Sequence, residues 1–353
     1  MTKIQKQFSI LTVVLGFLLL EVNAHAQQAI TPNITMYGDI DIGVQSYDTG
    51  KNQLVRMGES GYVTPKFGVR ISTQDLGDGL KFNGNMETIL RPNTGVVGST
   101  TVTNNIMTRE FWAGVSHPKL GELRFGTQDP SFADGTGDTV AYQFINFTNY
   151  AINGAAVELG IDANNTIKYL SPTINGTQFQ VGYSGNSNTS TTHTTNAITS
   201  GSLTFTEGPT KLGVGRSVKA GDGVAKTDFT SVGGAYNFGV ASVGAAYAYG
   251  DNSSTSDVQS TTAIYSAKVP LSNQGLAAHF VYAQTKDDRQ SADNKGKGYT
   301  VGLTKELATN AIFYTAYTSI ANESNSTMYM NSMTLPTAGS DPSMLMAGIT
   351  LRF

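Results

Sequence analysis

The sequence predicts an all-β chain, a 16-stranded antiparallel transmembrane β-barrel. Three observations carry this prediction. Apolar and polar residues alternate with a period of two over long stretches. Short, turn-rich connections alternate with longer polar ones. The composition is poor in charge and rich in glycine and aromatics. Only 14% of the 353 residues are charged, against roughly 25% in an ordinary soluble domain, while Gly numbers 39 and Tyr and Phe 16 each. Such a balance suits a sheet whose outer surface is not in water. Closing the sheet pairs every backbone amide and carbonyl, which makes strands tolerable in hydrocarbon.

Composition also excludes several function classes. With no cysteine, the chain has no disulfide scaffold, thiolate metal site or cysteine nucleophile. A formal charge of −3 lacks the basic excess of a nucleic-acid binder.

The first element is an export signal over residues 1–26. Lys3 and Lys6 form a positive start, Phe8 to Leu20 is an apolar stretch, and Ala24-His25-Ala26 is a small-x-small cleavage site. The apolar stretch is shorter than the roughly 20 residues that cross a bilayer as a helix. Residues 27–353 are then the barrel domain.

The strands follow. Ile40, Ile42 and Val44 share one face and Asp39, Asp41 and Gly43 the other. Near the end, Leu345, Ala347, Ile349, Leu351 and Phe353 share a face, opposite Met346, Gly348, Thr350 and Arg352. The pattern predicts strands over 34–47, 63–73, 80–91, 109–117, 122–129, 164–171, 177–184, 197–206, 211–219, 227–237, 240–250, 259–270, 276–286, 297–307, 310–320 and 343–353. Asp75-Leu76-Gly77-Asp78-Gly79, Pro118-Lys119-Leu120-Gly121, Thr173-Ile174-Asn175-Gly176 and Glu207-Gly208-Pro209-Thr210 are tight turns made of turn-forming residues. The intervening connections are mostly longer, and the third, from Pro130 to Ala163, is the longest. One end of the barrel is therefore trimmed and the other elaborated, as in bacterial outer-membrane barrels with short periplasmic turns and long external loops. An even strand count places both ends of the barrel on the periplasmic side.

Several segments resemble a known family. Ile34-Thr35-Met36-Tyr37-Gly38-Asp39-Ile40-Asp41-Ile42-Gly43-Val44 is similar to the first strand of neisserial and burkholderial trimeric porins. Lys66-Phe67-Gly68-Val69-Arg70, Asp75 to Lys81, Phe111-Trp112-Ala113-Gly114-Val115, Leu120 to Gln128 and Asn165 to Pro172 resemble the following strands and turns. Gly302-Leu303-Thr304-Lys305 and Gly348 to Phe353 resemble the end, and the last Phe resembles the outer-membrane assembly signal. The resemblance implies a Gram-negative general diffusion porin in the outer membrane. Such a porin is a passive, water-filled homotrimeric channel with an inward-folded third loop, surrounded by outer-membrane lipid and lipopolysaccharide. It also implies contact with the assembly machinery through Phe353, passage of ions and small hydrophilic solutes, and no cofactor. The family often has Arg where Thr127 stands and Ser-Arg where Pro65-Lys66 stands, so its charge balance does not transfer directly.

In such a pore, solutes are selected by size and by the field between charged groups. With Phe67, Val69 and Ile71 outward, Lys66, Arg70 and Ser72 face the lumen. With Leu80, Phe82 and Met86 outward, Lys81, Asn83, Asn85, Glu87 and Arg91 face it too. Assigning Trp112 and Gly114 outward puts Arg109 inside and Glu110 on the outer face. The third connection supplies Asp129, Asp134 and Asp138. The expected constriction is Lys66, Arg70, Arg91 and Arg109, with Glu87 and Asp129, facing Asp134 and Asp138. The plainer reading makes several of these solvated rim charges.

Other chemistry fits less well. Asp39 and Asp41 alternate along a strand and lack a calcium-loop spacing, so they are expected to be solvated lumen acids. Trp112 and the other aromatics suit interfacial girdles better than a sugar slide. Gly213-Val214-Gly215 has no strand–turn–helix context for a nucleotide loop. Beyond the signal only His117, His193 and His279 remain, and none sits in a recognisable catalytic motif, so an enzyme is not expected. Two alternatives to a diffusion pore are a substrate-selective channel, with a binding row in the lumen, and an adhesin or scaffold barrel acting through its Ser/Thr/Asn/Gly-rich loops.

Overall fold

The computed structural model describes residues 32–50, 52–59, 61–98, 109–129, 163–185, 197–221, 224–252, 258–287, 294–330 and 337–353. They form a closed antiparallel barrel of sixteen strands, with no helix among the described residues. In chain order these are β1 (Asn33–Asp48), β2 (in two segments, Gln53–Glu59 and Lys66–Ser72), β3 (Lys81–Arg91), β4 (Glu110–His117) and β5 (Gly121–Gln128). There follow β6 (Ala163–Leu170), β7 (Thr177–Ser184), β8 (Ala197–Glu207), β9 (Thr210–Gly221), β10 (Val224–Asn237) and β11 (Ser242–Asn252). The last are β12 (Val258–Pro270), β13 (Leu276–Asp287), β14 (Lys295–Ala308), β15 (Ala311–Asn322) and β16 (Ser343–Arg352). A two-residue bridge, Val96–Val97, pairs with the end of β3. Each predicted strand overlaps an observed one.

Each strand pairs with its sequence neighbours, and β1 pairs with β16 from Asp39↔Arg352 to Asp48↔Ser343. The seam extends by one residue, since Gly38 and Phe353 exchange both backbone hydrogen bonds. The Phe353 ring lies against Gly38, where a Cβ would be only 2.5 Å from it, and near Phe67 on the outer face.

At one end the connections span only 73–80, 118–120, 171–176, 208–209, 238–241, 271–275 and 309–310. In the first of these, Asp75 Oδ1 accepts the amides of Gly77 and Gly79, both at positive φ. Glycine adopts that backbone region without a Cβ clash. The other end is mostly longer, with two corrections. The expected first long connection is largely strand, because Gln53–Glu59 extends β2 upward and leaves only 49–52. Only residues 222–223 separate β9 from β10.

Alternation sorts the faces. On β16, Leu345, Ile349 and Leu351 are exposed on the outside, while Met344, Met346 and Thr350 are buried inside. Tyr183, Tyr236, Tyr247, Tyr265, Tyr299 and Tyr317 are exposed on the outer face between β7 and β15. Among the described residues, β16 and β1–β5 show no outward tyrosine.

The apolar core lies inside the barrel, against one side. It contains Tyr47, Ile264, Val281, Ala283, Tyr314, Ala316, Ile320, Met344 and Met346, all inward-facing, with Met328 and Met330 from the segment after β15. That segment folds into the external mouth. Asn322 Nδ2 donates to the Met328 carbonyl, Asn322 Oδ1 accepts the Met328 amide, and Met328 packs over Gly296.

Candidate functional site

The inner faces of β1–β6 carry most of the described charge. β3 and β4 pair with Asn83↔Gly114, Asn85↔Trp112 and Glu87↔Glu110 directly opposite, so all six residues share the inward face. This corrects the sequence expectation for β4: Glu110, Trp112 and Gly114 point into the barrel. Trp112 looks like a lipid-facing residue by size. Its indole instead donates to Glu110 Oε2 at 3.0 Å, and the Arg124 guanidinium covers its ring at 4.1 Å from the centroid. A polar atom and a cation on the ring suit a wet wall better than lipid.

Glu87 is the hub and is only 4% exposed. It accepts the Tyr37 hydroxyl at 2.8 Å and pairs with Arg109 Nε at 3.2 Å and Lys66 Nζ at 3.6 Å. Arg109 also reaches Asp129 at 3.8 Å. Arg109 precedes the regular part of β4, which frees it from the strand alternation. Lys168, also buried, donates to the Asp129 carbonyl at 3.2 Å. A second chain of contacts runs beside the first. Asn85 donates to Glu110 at 2.5 Å, Arg124 pairs with Glu122 at 2.7 Å, and Asn83 donates to Ser116 at 2.8 Å.

The structure brings Lys66, Glu87, Arg109 and Asp129 together. Arg91 instead pairs with Glu59 at 2.6 Å, toward the external end. Arg70 lies over the Tyr37 ring at 4.2 Å and has no carboxylate partner among the described residues. Asp134 and Asp138 lie outside the described residues. Asn85 was expected to face the lumen, but Tyr37, Glu110, Trp112, Arg124 and Lys168 were not foreseen as part of this wall. The period-two pairs Glu110/Trp112 and Glu122/Arg124 are the sequence signal that marks three of them.

Asp39 and Asp41 are not solvated lumen acids. Asp39 pairs with Arg352 at 3.0 Å. Asp41 is fully buried and accepts the amides of Gly61, Tyr62 and Val63 and the hydroxyls of Tyr314 and Thr350.

The far side of the inner face is different. At mid-height on β8–β15, Ser200, Ser202, Ser217, Ser231, Thr262, Thr300 and Thr318 stand where β1–β6 carry charges. Several of these hydroxyls bond across strands, as in Thr262–Thr285 and Thr300–Thr318, both at 2.8 Å.

A closed sixteen-strand barrel with a charged inner face is the architecture of known outer-membrane pores, and residues 19–325 match the Gram-negative porin family. The chain belongs to this family. The outer membrane porin protein 32 of Delftia acidovorans is 26% identical over 311 residues, covering 84% of this chain and 86% of that protein. The anion-selective porin from Comamonas acidovorans superposes with a TM-score of 0.76 at 22% identity, covering 92% of this chain and all of that one. The in-vitro folded OmpT of Vibrio cholerae, in its trimer form, superposes with a TM-score of 0.66 at 14% identity, over 92% of this chain and all of that one. The porin is thus an outer-membrane β-barrel whose lumen is a channel for passive diffusion, and its family points to transport rather than catalysis.

Proposed function

We propose that the porin is a homotrimeric general-diffusion channel for ions and small hydrophilic solutes, with a weak preference for anions. The observation that carries the preference is the uneven pairing on the charged wall. Lys66 and Arg109 both pair with Glu87, with Asp129 as a more distant second partner of Arg109, and Arg70 lies on the Tyr37 ring with no carboxylate partner among the described residues. A cation held on an aromatic face keeps its charge available to a passing anion. The anion selectivity in the name of the Comamonas acidovorans relative supports the same sign. In this reading Lys66, Arg70, Glu87, Arg91, Arg109 and Asp129 line the narrowing, and Asp134 and Asp138 face them from the third loop. The test is reversal potential in planar bilayers under a KCl gradient. The wild type is expected to favour chloride, and Arg70→Ala to lower the chloride-to-potassium permeability ratio by about twofold, the scale of one lumen charge partly screened by salt. A cation-selective wild type overturns the sign.

The missing tyrosines support the trimer. Tyrosine belongs at lipid interfaces, so an outer face of β16 and β1–β5 without it suits contact with other subunits. Met36, 66% exposed on β1, is expected to sit in that contact. Met36→Arg should abolish the SDS-resistant trimer on unheated gels. Val232→Arg, on the tyrosine-bearing side, should leave it intact, and equal loss in both variants argues against this interface. Residues 1–26 serve as the export signal and 27–353 as the mature barrel in this reading. Phe353 presents the terminal strand to the assembly machinery, and outer-membrane lipid and lipopolysaccharide surround the remaining wall.

A further inference from the structure

Strand β2 is broken in a way that no loop explains. Its upper segment pairs with β1 down to Ile42↔Glu59, and its lower segment resumes at Asp39↔Lys66. The sequence thus has six residues between these pairings on β2 against only Ile40 and Asp41 on β1. On the other side the pairing continues, because the Pro65 carbonyl accepts the Leu90 amide at 2.9 Å. The surplus chain has gone inward. An ordinary bulge adds one residue, bends the strand and leaves the sheet otherwise intact. Here Gly61, Tyr62 and Val63 instead lie over the inner face of β1, β15 and β16.

We propose that residues 61–63 form an inward strap that sets the free cross-section of the pore, and that Asp41 is the positioning residue that holds it. The three consecutive strap amides converge on one carboxylate. Gly61 N donates to Asp41 Oδ1 at 2.9 Å, and Tyr62 N and Val63 N donate to Oδ2 at 3.0 Å each. The remaining capacity of Asp41 is filled by the Tyr314 hydroxyl at 2.8 Å and the Thr350 hydroxyl at 2.7 Å. These five donors tie the strap to β15 and β16 as well as to β1. The Tyr62 and Tyr314 rings stack with centroids 6.1 Å apart. Gly61 is required by the fit, since a Cβ there would lie 2.1 Å from the Tyr314 oxygen.

The arrangement separates two roles that a lumen carboxylate can play. A free aspartate on the wall attracts cations. Asp41 is fully buried beneath the strap, and five neutral donors aim the positive ends of their dipoles at it, which partly offsets its field along the solute path. Its substitution therefore changes how wide the pore is more than which ion it prefers. Lys66 follows the strap directly, so the strap also fixes where the charged wall begins. The inference rests on the barrel conducting, but not on the constriction residues proposed above.

The test uses the absence of native cysteine. Val63→Cys places a thiol at a site only 5% exposed in the strap. In full-length trimers it is expected to react slowly with a bulky, membrane-impermeant maleimide. Adding Asp41→Asn should speed labelling by about tenfold, the effect of losing charge-assisted hydrogen bonds. Single-channel conductance should rise by about 1.5- to 2-fold, as expected for a wider path, with little change in the permeability ratio. Deleting residues 60–63 leaves two residues opposite Ile40 and Asp41, restores regular pairing and should raise conductance similarly. Heat-modifiable migration on gels checks that each barrel is closed. If Asp41→Asn does not fold, Tyr314→Phe, which removes one donor, decides the latch by the labelling rate, and the deletion, which removes position 63, decides the pore width by conductance. Unchanged labelling with Asp41→Asn overturns the latch. Unchanged conductance in the deletion variant overturns the strap as a determinant of pore width. A wild type that does not conduct counts against the diffusion-channel reading, while the labelling rates still judge the latch.

Discussion

Glu87→Gln is expected to raise the chloride-to-potassium permeability ratio several-fold, the largest selectivity change of any single wall substitution. Glu87 receives Lys66, Arg109 and the Tyr37 hydroxyl at once. Glutamine keeps the size and one acceptor oxygen but removes the charge, so two cations lose their shared counter-charge. The sign follows directly: the wall becomes more positive and draws anions. Low-dielectric walls focus the added field into the lumen. A structural cost accompanies the change, because breaking a buried ion pair from one side is worth about 3–5 kcal/mol, less here to the extent that lumen water reaches Lys66 and Arg109. Reversal potentials in a KCl gradient read the result. An unchanged ratio, or a shift toward potassium, removes Glu87 from the selectivity-determining set.

Met330→Asp is expected to expel the inward segment after β15 from the external mouth. Met330 is fully buried, in the same cluster as Ile320, Met344 and Met346. An unpaired carboxylate there costs several kcal/mol. The segment can escape that cost by leaving the lumen, because its polar attachment is local. It depends on the Asn322 side chain, on Ser326 accepting the Lys295 amide and on Asn294 accepting the Thr327 amide. Conductance should therefore increase and the segment should become open to external protease, while the barrel stays closed. Met330→Leu keeps volume and apolarity and should behave as wild type. Protection from protease in the aspartate variant counts against the segment as a displaceable filling.

The barrel was legible because two independent codes agree. Period-two patterning gave the strands, and turn residues such as Asp75 to Gly79 marked the trimmed end. Lys66, Arg70 and Glu87 were legible for the same reason, since alternation assigns a face; Arg109 was placed inside by a reversed reading of β4 and reaches Glu87 because it precedes the regular strand. Where the reading failed, the local rule met a tertiary exception. Trp112 looked lipid-facing because size and apolarity were weighed without the indole N–H, which seeks Glu110. Asp41 looked like a solvated acid because its donors come from residues 20 to 22 and 273 to 309 positions away. Met328 and Met330 alternate with Thr327 and Tyr329 over too few residues to read as a strand, and their partners come from β12 to β16 and β1.

The two halves of the inner face have a consequence for molecules that carry no net charge. One half presents guanidinium, ammonium and carboxylate groups on β1–β6, and the other presents hydroxyls on β8–β15. A field that runs across the lumen rather than along it exerts a torque on any dipole in transit. A zwitterion such as a free amino acid would turn its carboxylate toward the arginine side and its ammonium toward the hydroxyl side. Two zwitterions of equal mass and zero net charge are then expected to cross at different rates if their charge separations differ, a selection by orientation that follows from the proposed anion preference.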